Sequence, residues 1–88
     1  IYLLRKAGTY KLVYGIETAT PRLQKQIKKN LDINMVADII TKTSKAGIIV
    51  GGYFMLGFPT QTQDEIKETI DFAANSDLDL AAFFKVTS

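Results

Sequence analysis

The chain of 88 residues contains no cysteine, no histidine and no tryptophan. Without cysteine it can form no disulfide and offers no thiolate ligand to a metal. Without histidine it lacks the side chain that serves most often as a metal ligand and as a general acid or base. Catalysis by these residues alone would therefore depend on carboxylates, lysines, tyrosines or hydroxyl groups.

The chain also has little excess charge of either sign, because 11 basic and 9 acidic residues give a net charge of +2 at pH 7. Proteins that bind nucleic acid usually gather their basic residues into a patch or a stripe. The nearest approach to such a patch is a set of four basic residues on one short predicted helix, which we interpret as a solvated face: Arg22, Lys25, Lys28 and Lys29. We therefore expect no nucleic acid partner for this segment.

Long apolar runs are missing too, although 47% of the residues are hydrophobic. No run approaches the roughly 20 residues that a membrane-spanning helix needs, and no stretch has the pattern of a signal peptide. We therefore expect no membrane contact and a cytoplasmic location.

Three segments have the composition of β-strands. Residues 10–16 and 80–86 are rich in aromatic and other apolar side chains, and residues 48–56 are apolar almost throughout. A continuously apolar strand is typical of the centre of a parallel sheet, where helices or other layers cover both faces. We therefore predict that the second segment is a central parallel strand buried on both faces.

Helical patterns lie between these strands. Thr20 and Pro21 are a typical N-cap and first residue for a short helix that we expect to continue to about Asn30. Asn34 is predicted to cap a longer helix that ends at Ala46. Its inward face is predicted from the spacing of four residues: Val36, Ile39, Ile40 and Thr43.

Two further helices complete the pattern. Residues 2–7, followed by Gly8, have the appearance of the last turns of a helix. Thr62 and Glu65 form a capping-box sequence that predicts a helix to about residue 75 or 76. Its buried stripe is predicted to contain Ile66, Ile70 and Ala73. The resulting order is helix, strand, split helix, strand, helix, strand.

This order predicts an α/β fold with three parallel strands and flanking helices, because the connections are long enough for right-handed crossovers. The alternation alone does not choose between a doubly wound sheet and a (β/α) barrel. Three such strands would leave apolar surface and at least one sheet edge uncovered. We therefore interpret residues 1–88 as part of one larger domain, truncated at both ends.

Two turns end candidate strands in the same manner. Residues 57–62 form a Gly/Pro turn after the second strand, and residues 17–20 follow the first strand with a carboxylate and two hydroxyl groups. Ligands of parallel α/β proteins collect at the carboxyl ends of the strands. We therefore expect both turns at one rim of the sheet, forming one site.

The residues of these turns resemble two motifs of the radical S-adenosylmethionine enzymes. Gly15-Ile16-Glu17-Thr18 resembles the Gly-x-Glu-Ser element of that family. Residues 47–62 are similar to its stretch Gly-Ile-x-Val-x-Gly-x-Phe-Ile-Leu-Gly-Leu-Pro-Gly-Glu-Thr, although Thr60 and Gln61 stand in place of the usual Gly and Glu. The resemblance covers nearly the whole chain and implies about strands four to six of a partial TIM barrel.

The resemblance also implies the cofactors of the parent protein. It implies an oxidoreductase-type radical enzyme that cleaves S-adenosylmethionine reductively beside a four-iron four-sulfur cluster, to give a 5′-deoxyadenosyl radical. The cluster's cysteines come from a CxxxCxxC motif, which this sequence lacks. We therefore expect the cysteines to lie outside this segment, and we expect the isolated segment, which would supply the S-adenosylmethionine-binding wall, to be inactive.

Six residues are implied as cofactor contacts, and none as catalytic or metal-binding. Glu17 and Thr18 would bond the ribose hydroxyls, Glu17 alternatively the methionyl ammonium group. The strand end would cradle the adenine through Phe54, Met55, Leu56 and Gly57. The alternatives stay open: Glu17 could instead pair with backbone N–H groups or with Arg22, and the apolar residues could be plain core.

Within the family, residues 57–62 (Gly-Phe-Pro-Thr-Gln-Thr) and residues 84–88 (Phe-Lys-Val-Thr-Ser) most resemble the cobalamin-dependent magnesium-protoporphyrin ester cyclase. Methylthiotransferases and coproporphyrinogen oxidases belong to the same subgroup. This similarity implies cobalamin in the parent protein, a small-molecule substrate and radical hydrogen abstraction. The substrate itself and the roles of Lys85, Thr87 and Ser88 are not determined.

Two other classes compete with this interpretation. A small α/β binding module could act as a homodimer, because its exposed strand edges would favour self-association. A phosphate-binding barrel could use the helix N-termini at Thr20 and Thr62 as anion sites, but the chain lacks a recognisable Gly-rich phosphate loop.

Overall fold

The computed structural model describes residue 8 and residues 10–86 of the chain. The predicted helix at residues 2–7, as well as Thr87 and Ser88, lies outside the described residues. The elements follow one another as β1 (Lys11–Glu17), α1 (Pro21–Gln26), α2 (Ile33–Lys45), β2 (Ile49–Leu56), α3 (Gln63–Asn75) and β3 (Leu80–Lys85). This order confirms the predicted α/β alternation.

The three strands form one sheet in the order β1-β2-β3. Both pairings are parallel, with Leu12 opposite Val50 and Tyr53 opposite Ala82. The register of β1 against β2 shifts between Gly15 and Glu17, at the carboxyl end of β1. The parallel sheet with flanking helices is the arrangement that a part of a TIM barrel requires.

Helices cover one face of the sheet. The β-strands and helices α2 and α3 meet in a core of residues that are at most 8% exposed: Ile16, Ile40, Val50, Phe54 and Ala73. The ring of Phe54 also stacks on Phe83 of β3, with the ring centroids 5.3 Å apart. The buried core therefore comes from β1, β2 and two of the helices, while β3, whose residues are all exposed, contacts it through Phe83.

The opposite face of the sheet is uncovered within the described residues. Its side chains are 38–57% exposed and come from every strand: Val13, Ile49, Tyr53, Leu80 and Phe84. The prediction that β2 is buried on both faces is therefore wrong for this part of the chain. The apolar sequence of β2 arises because one face contacts helices, while the other forms a second apolar surface.

Two helix boundaries differ from the sequence prediction. Asp32, not Asn34, caps α2, because its carboxylate accepts hydrogen bonds from the N–H groups of Asn34 (3.0 Å) and Met35 (3.4 Å). Helix α1 ends at Gln26 and does not reach Asn30, because Lys28 and Asn30 have φ angles of +61° and +52°. A right-handed helix cannot continue through residues with positive φ.

The predicted ends of the longer helices are otherwise confirmed. In the capping box of α3, the Thr62 hydroxyl accepts from the Glu65 N–H (3.1 Å) and the Glu65 carboxylate accepts from the Thr62 N–H (2.9 Å).

The buried stripes of α2 and α3 differ from their predictions at one residue each. The sequence predicts that Ile39 and Ile70 face inward, but they are 39% and 43% exposed. Each stripe is therefore narrower than its sequence pattern indicates.

Within residues 8 and 10–86, no helix has both the length and the apolar character needed to cross a bilayer.

Candidate functional site

The carboxyl ends of the three strands lie at one edge of the sheet. Glu17, the last residue of β1, pairs with Phe54, and Leu56 at the end of β2 pairs with Lys85 at the end of β3. Gly57 follows three residues after Phe54, a distance of about 10 Å along the strand. The structure therefore brings the Glu17 turn and the Gly57 turn to the same rim, as the sequence predicts.

Glu17 occupies an unusual backbone conformation at this rim. Its φ angle is +71°, and the Thr18 N–H donates to the Ile16 carbonyl oxygen at 2.9 Å, closing a three-residue turn around Glu17. The γ-turn with positive φ at its centre is rare and strained. Strained residues of this kind cluster at ligand-binding positions, where the surrounding structure holds them in place. The strain therefore supports a functional role for this turn.

The carboxylate of Glu17 lies beside Lys29. The Lys29 Nζ is 3.6 Å from the Glu17 Oε2 and donates a hydrogen bond to the Gly15 carbonyl, while the Glu17 side chain stays 31% exposed. The sequence pattern placed Lys29 on a solvated helix face. This prediction is wrong, because Lys29 lies in the loop after α1 and contacts the end of β1. Because the two residues lie on different elements, helical periodicity gives no signal for this pair.

Thr18 and Phe54 lie beneath the rim. Thr18 is fully buried, with its hydroxyl 3.3 Å from the Thr69 hydroxyl, and it accepts a hydrogen bond from the Thr20 N–H. Phe54 is also fully buried in the core. Met55 and Leu56 are half-buried and Gly57 is exposed. Of the six predicted contact residues, Thr18 and Phe54 are therefore buried below the rim, and the other four are at least partly exposed there.

Thr20 occupies the N-cap position of α1 without capping it through its side chain. Its hydroxyl donates instead to the Glu68 Oε1 at 2.7 Å. The prediction that this hydroxyl caps the helix is therefore wrong, because a carboxylate on α3 competes successfully for it. The contact ties the turn after β1 to α3.

Gln61 holds the turn after β2. Its Oε1 accepts hydrogen bonds from the N–H groups of Gly57 (2.7 Å) and Phe58 (3.3 Å). Gln61 therefore supplies an acceptor oxygen at the position where the radical S-adenosylmethionine motif has Glu. These two hydrogen bonds form with the neutral amide of Gln61.

Arg22 joins the two rim turns. Its Nε and Nη2 donate to the two carboxylate oxygens of Glu65 at 2.8 and 2.6 Å, and its Nη2 also donates to the Thr60 carbonyl at 2.8 Å. The Arg22 hydrogen bond, followed by that of the Thr62 backbone, lowers the pKa of the Glu65 carboxyl to about 2. The alternative in which Arg22 pairs with Glu17 is therefore wrong.

The open face of the sheet leads up to this rim. A groove of about 420 Å³ runs along it, lined by residues that include Val13, Tyr53 and Phe84. A Cβ atom added to Gly15 would lie 2.4 Å from the Tyr53 hydroxyl oxygen, so the Tyr53 ring lies directly over Gly15. The glycine of the Gly-x-Glu motif thus allows an aromatic ring of β2 to cross onto β1.

The described residues contain no group of three or more His, Cys, Asp or Glu side chains that could hold a metal ion. Since the full sequence has no cysteine, the chain also has no thiolate for an iron–sulfur cluster. These residues therefore do not fit a cluster-binding role.

Comparison with known proteins connects these features to one family. A sequence model of the radical SAM superfamily matches residues 1–73 of the chain. The chain is 34% identical to an uncharacterised methyltransferase of Pyrococcus horikoshii, in an alignment that covers 91% of this chain and 17% of that protein.

Two further relatives have related names. A cytidylyl-2-hydroxyethylphosphonate methyltransferase of Streptomyces wedmorensis is 27% identical over 93% of the chain and 17% of its own length. A protein of Methanocaldococcus jannaschii, provisionally named a methylthiotransferase, is 32% identical over 75% of the chain and 15% of its own length. The chain thus spans about one sixth of the length of these relatives.

Proposed function

This chain belongs to the radical SAM superfamily, and from that membership we propose that it forms the S-adenosylmethionine-binding wall of a larger radical enzyme. Enzymes of this superfamily use S-adenosylmethionine and a four-iron four-sulfur cluster. In this proposal, residues 1–88 form about strands four to six of the partial barrel. The observation that carries the proposal is the part-exposed carboxylate of Glu17 at the same rim as the Gly57 turn.

The Glu17 side of the rim has the chemistry that the ribose of a nucleoside requires. A carboxylate accepts hydrogen bonds from paired hydroxyl groups, and charge-assisted bonds of this type are the stronger kind. Glu17 would hold the ribose in this way, with Lys29 beside it limiting the movement of the carboxylate. Thr18 would support this turn from beneath rather than touch the ribose, because it is fully buried and its N–H, carbonyl oxygen and hydroxyl all form bonds within the fold.

The other side of the rim suits a flat base. Nothing lies within 4 Å of a Cβ atom added to Gly57, so the backbone there is open to close approach. Met55 and Leu56 are half-buried next to it and offer apolar surface, and Phe54 supports them from the core. We propose that Met55, Leu56 and Gly57 contact the adenine and that the buried Phe54 supports them.

The chain would hold the organic cofactor but not the cluster. Bound S-adenosylmethionine supplies the radical chemistry in this superfamily. With no cysteine in the sequence, the thiolates for the cluster must come from outside residues 1–88. The isolated chain is therefore proposed to be inactive, and the activity belongs to the parent enzyme.

The names of the relatives favour a group-transfer reaction for the parent. Two are called methyltransferases and the third is provisionally called a methylthiotransferase. We propose a small-molecule substrate and methyl or methylthio transfer as the reaction class. Cobalamin as a further cofactor of the parent stays a prediction from the resemblance, and a cytoplasmic location stays a prediction from the sequence.

Substitution of Glu17 tests the proposed function. In the full-length parent, Glu17→Ala should weaken S-adenosylmethionine binding by about tenfold or more, because a hydrogen bond to a charged group contributes about 1.5–3 kcal/mol. Equilibrium dialysis gives the dissociation constant, and iron analysis should show unchanged cluster content. Asp38→Ala, which removes an exposed carboxylate from α2, is the matched control. An unaltered dissociation constant for Glu17→Ala would reject the proposal.

A further inference from the structure

A buried polar side chain lies directly under the Glu17 turn. Gln24 of α1 is only 1% exposed, and a buried amide requires partners for both its N–H donors and its oxygen. Its Nε2 donates to the carbonyl oxygens of Ile16 (2.7 Å) and Thr18 (2.8 Å), and its Oε1 accepts from the Leu31 N–H (3.2 Å). The amide is therefore fully satisfied.

The two carbonyl groups that Gln24 binds are those on either side of Glu17. They converge on one nitrogen atom because the backbone reverses at Glu17, where φ is +71°. In an extended strand the carbonyl oxygens of Ile16 and Thr18 would point the same way but lie about 6.6 Å apart, too far for one nitrogen to bond both. The pair of hydrogen bonds from Gln24 is thus compatible with the strained turn and incompatible with continuation of β1.

Gln24 also organises the loop that contains Lys29. Its main-chain carbonyl oxygen accepts hydrogen bonds from the N–H groups of Lys29 (3.0 Å) and Asn30 (3.1 Å). The side chain of Lys29 then reaches the Glu17 carboxylate at 3.6 Å. One residue therefore fixes the backbone of Glu17 and the start of the loop that carries its ionic partner.

We propose that Gln24 is a positioning residue, which holds Glu17 in its left-handed turn and so presents the Glu17 carboxylate to the ligand. This inference rests on the proposed function, because it assigns Gln24 a role through Glu17. Gln24 itself is buried and does not touch the ligand. A purely structural role would make α1 and the core less stable without any dependence on Glu17.

A double-mutant cycle separates these two roles. Gln24→Met, Glu17→Ala and the double variant are prepared in the full-length holoenzyme, and S-adenosylmethionine binding is measured with the cluster in its oxidised, non-cleaving state. We expect Gln24→Met to weaken binding about tenfold, equivalent to 1.4 kcal/mol. In the Glu17→Ala background the same substitution should change binding less than twofold. Gln63→Met, at an exposed glutamine of α3, is the matched control.

Each outcome of the cycle decides the inference. Equal losses from Gln24→Met in both backgrounds, or no loss with Glu17 present, would overturn it. If Gln24→Met does not fold, as judged by cluster content and thermal midpoint, Gln24→Asn replaces it and the same criteria apply. That variant keeps a polar amide at the buried position, but its side chain is one methylene shorter and no longer reaches both carbonyl oxygens.

Thermal stability keeps this inference distinguishable from the proposed function. If Glu17→Ala alone leaves binding unchanged, the proposed function fails. Thermal midpoints then still test whether Gln24 stabilises the turn at Glu17. We then expect Gln24→Met to lower the thermal midpoint less in a Glu17→Gly background than in the parent sequence, because glycine adopts positive φ without strain. Equal decreases in both backgrounds would show that Gln24 does not act through Glu17.

Discussion

At the scale of single residues, the backbone strain of the described chain is concentrated near the Glu17 carboxylate. Glu17, Lys28 and Asn30 are the non-glycine residues with positive φ within the described part. Each such conformation costs on the order of 1–3 kcal/mol. The hydrogen bonds from Gln24 offset this cost, because a buried hydrogen bond contributes about 1 kcal/mol. The turn is therefore stable only as one unit of strand end, short helix and loop.

The sequence could predict the place of Glu17 but not its conformation. A carboxylate directly after an apolar strand indicates a rim residue, and the parallel register confirms that position. The positive φ depends on the side chain of Gln24, and the ionic partner is Lys29 on the following loop. Both contacts arise only when α1 folds back under the strand, so no local pattern contains them.

Gly57 provides a test of backbone conformation at the other side of the rim. Its φ angle is +89° and a Cβ atom would meet nothing within 4 Å, so any cost of substitution comes from the backbone alone. We expect Gly57→Ala to destabilise the protein by about 1–2 kcal/mol, and Gly57→Asn by less, because Asn tolerates the left-handed region better. Thermal midpoints measure both. Equal destabilisation by Ala and Asn would contradict this explanation.

At the scale of elements, several hydrogen bonds connect the turn after β1 and the start of α1 to α3, among them those from Thr18 and Ala19 to Thr69. Arg22 at the start of α1 forms a bidentate pair with Glu65, and Thr20 donates to Glu68. Bidentate arginine–carboxylate pairs fix geometry as well as adding energy. Since α3 follows the Gly57 turn directly, these contacts set the position of one rim turn against the other.

Sequence pattern located these helices better than it located their ends. The capping box of α3 is local, so Thr62 and Glu65 were sufficient to predict it. Asp32 and Asn34 are both good N-cap residues, and the choice between them depends on where the preceding loop returns to the sheet. The exposure of Ile39 and Ile70 depends on the width of the packing surface, which amphipathic spacing does not report.

The dual role of Glu65 predicts a dependence of stability on pH. Glu65→Gln keeps the capping box, which accepts Gln as well as Glu, but removes the charge that pairs with Arg22. Because folding lowers the pKa of this carboxyl from 4.5 to about 2, its stabilising effect is complete above pH 4.5 and is lost as the pH falls through about 2. We expect the parent to be more stable than Glu65→Gln at neutral pH and equally stable near pH 2.

Urea unfolding of both proteins between pH 7 and pH 2 measures this difference. Asp71→Asn is the matched control, because Asp71 belongs to an exposed pair with Lys67 on the same helix. Exposed pairs of this spacing contribute little. A constant difference between the parent and Glu65→Gln across the whole pH range would contradict the role of the ion pair.

At the scale of the whole molecule, the sheet presents two apolar faces of different character. One packs on α2 and α3, while the other carries exposed side chains from all three strands and the groove beside Tyr53. The alternation of strands and helices was sufficient to predict the parallel sheet. It could not show that one face lacks a covering layer here, because apolar side chains on both faces of a strand appear the same in sequence whatever covers them.

The open face predicts the behaviour of the isolated 88-residue chain. Leu80 and Phe84 are 57% and 53% exposed on it, and large contiguous apolar patches favour association. We expect this chain to self-associate at high concentration in sedimentation velocity experiments. Leu80→Lys and Phe84→Lys should each raise the concentration needed for association by about tenfold, because a charge placed in an apolar contact must be desolvated. Met35→Lys, at a residue 61% exposed on α2, should have no such effect.

The form of the association separates the two functional classes considered for this chain. A slice of a larger barrel exposes both this apolar face and its sheet edges, which together set no fixed limit to association, so its oligomers should grow with concentration. A binding module that functions as a homodimer would stop at two copies, because a two-fold interface is closed. A monomeric profile at all concentrations would contradict the prediction. A single dimer species that is unaffected by Leu80→Lys would favour the module over the barrel slice, because its interface would then lie elsewhere.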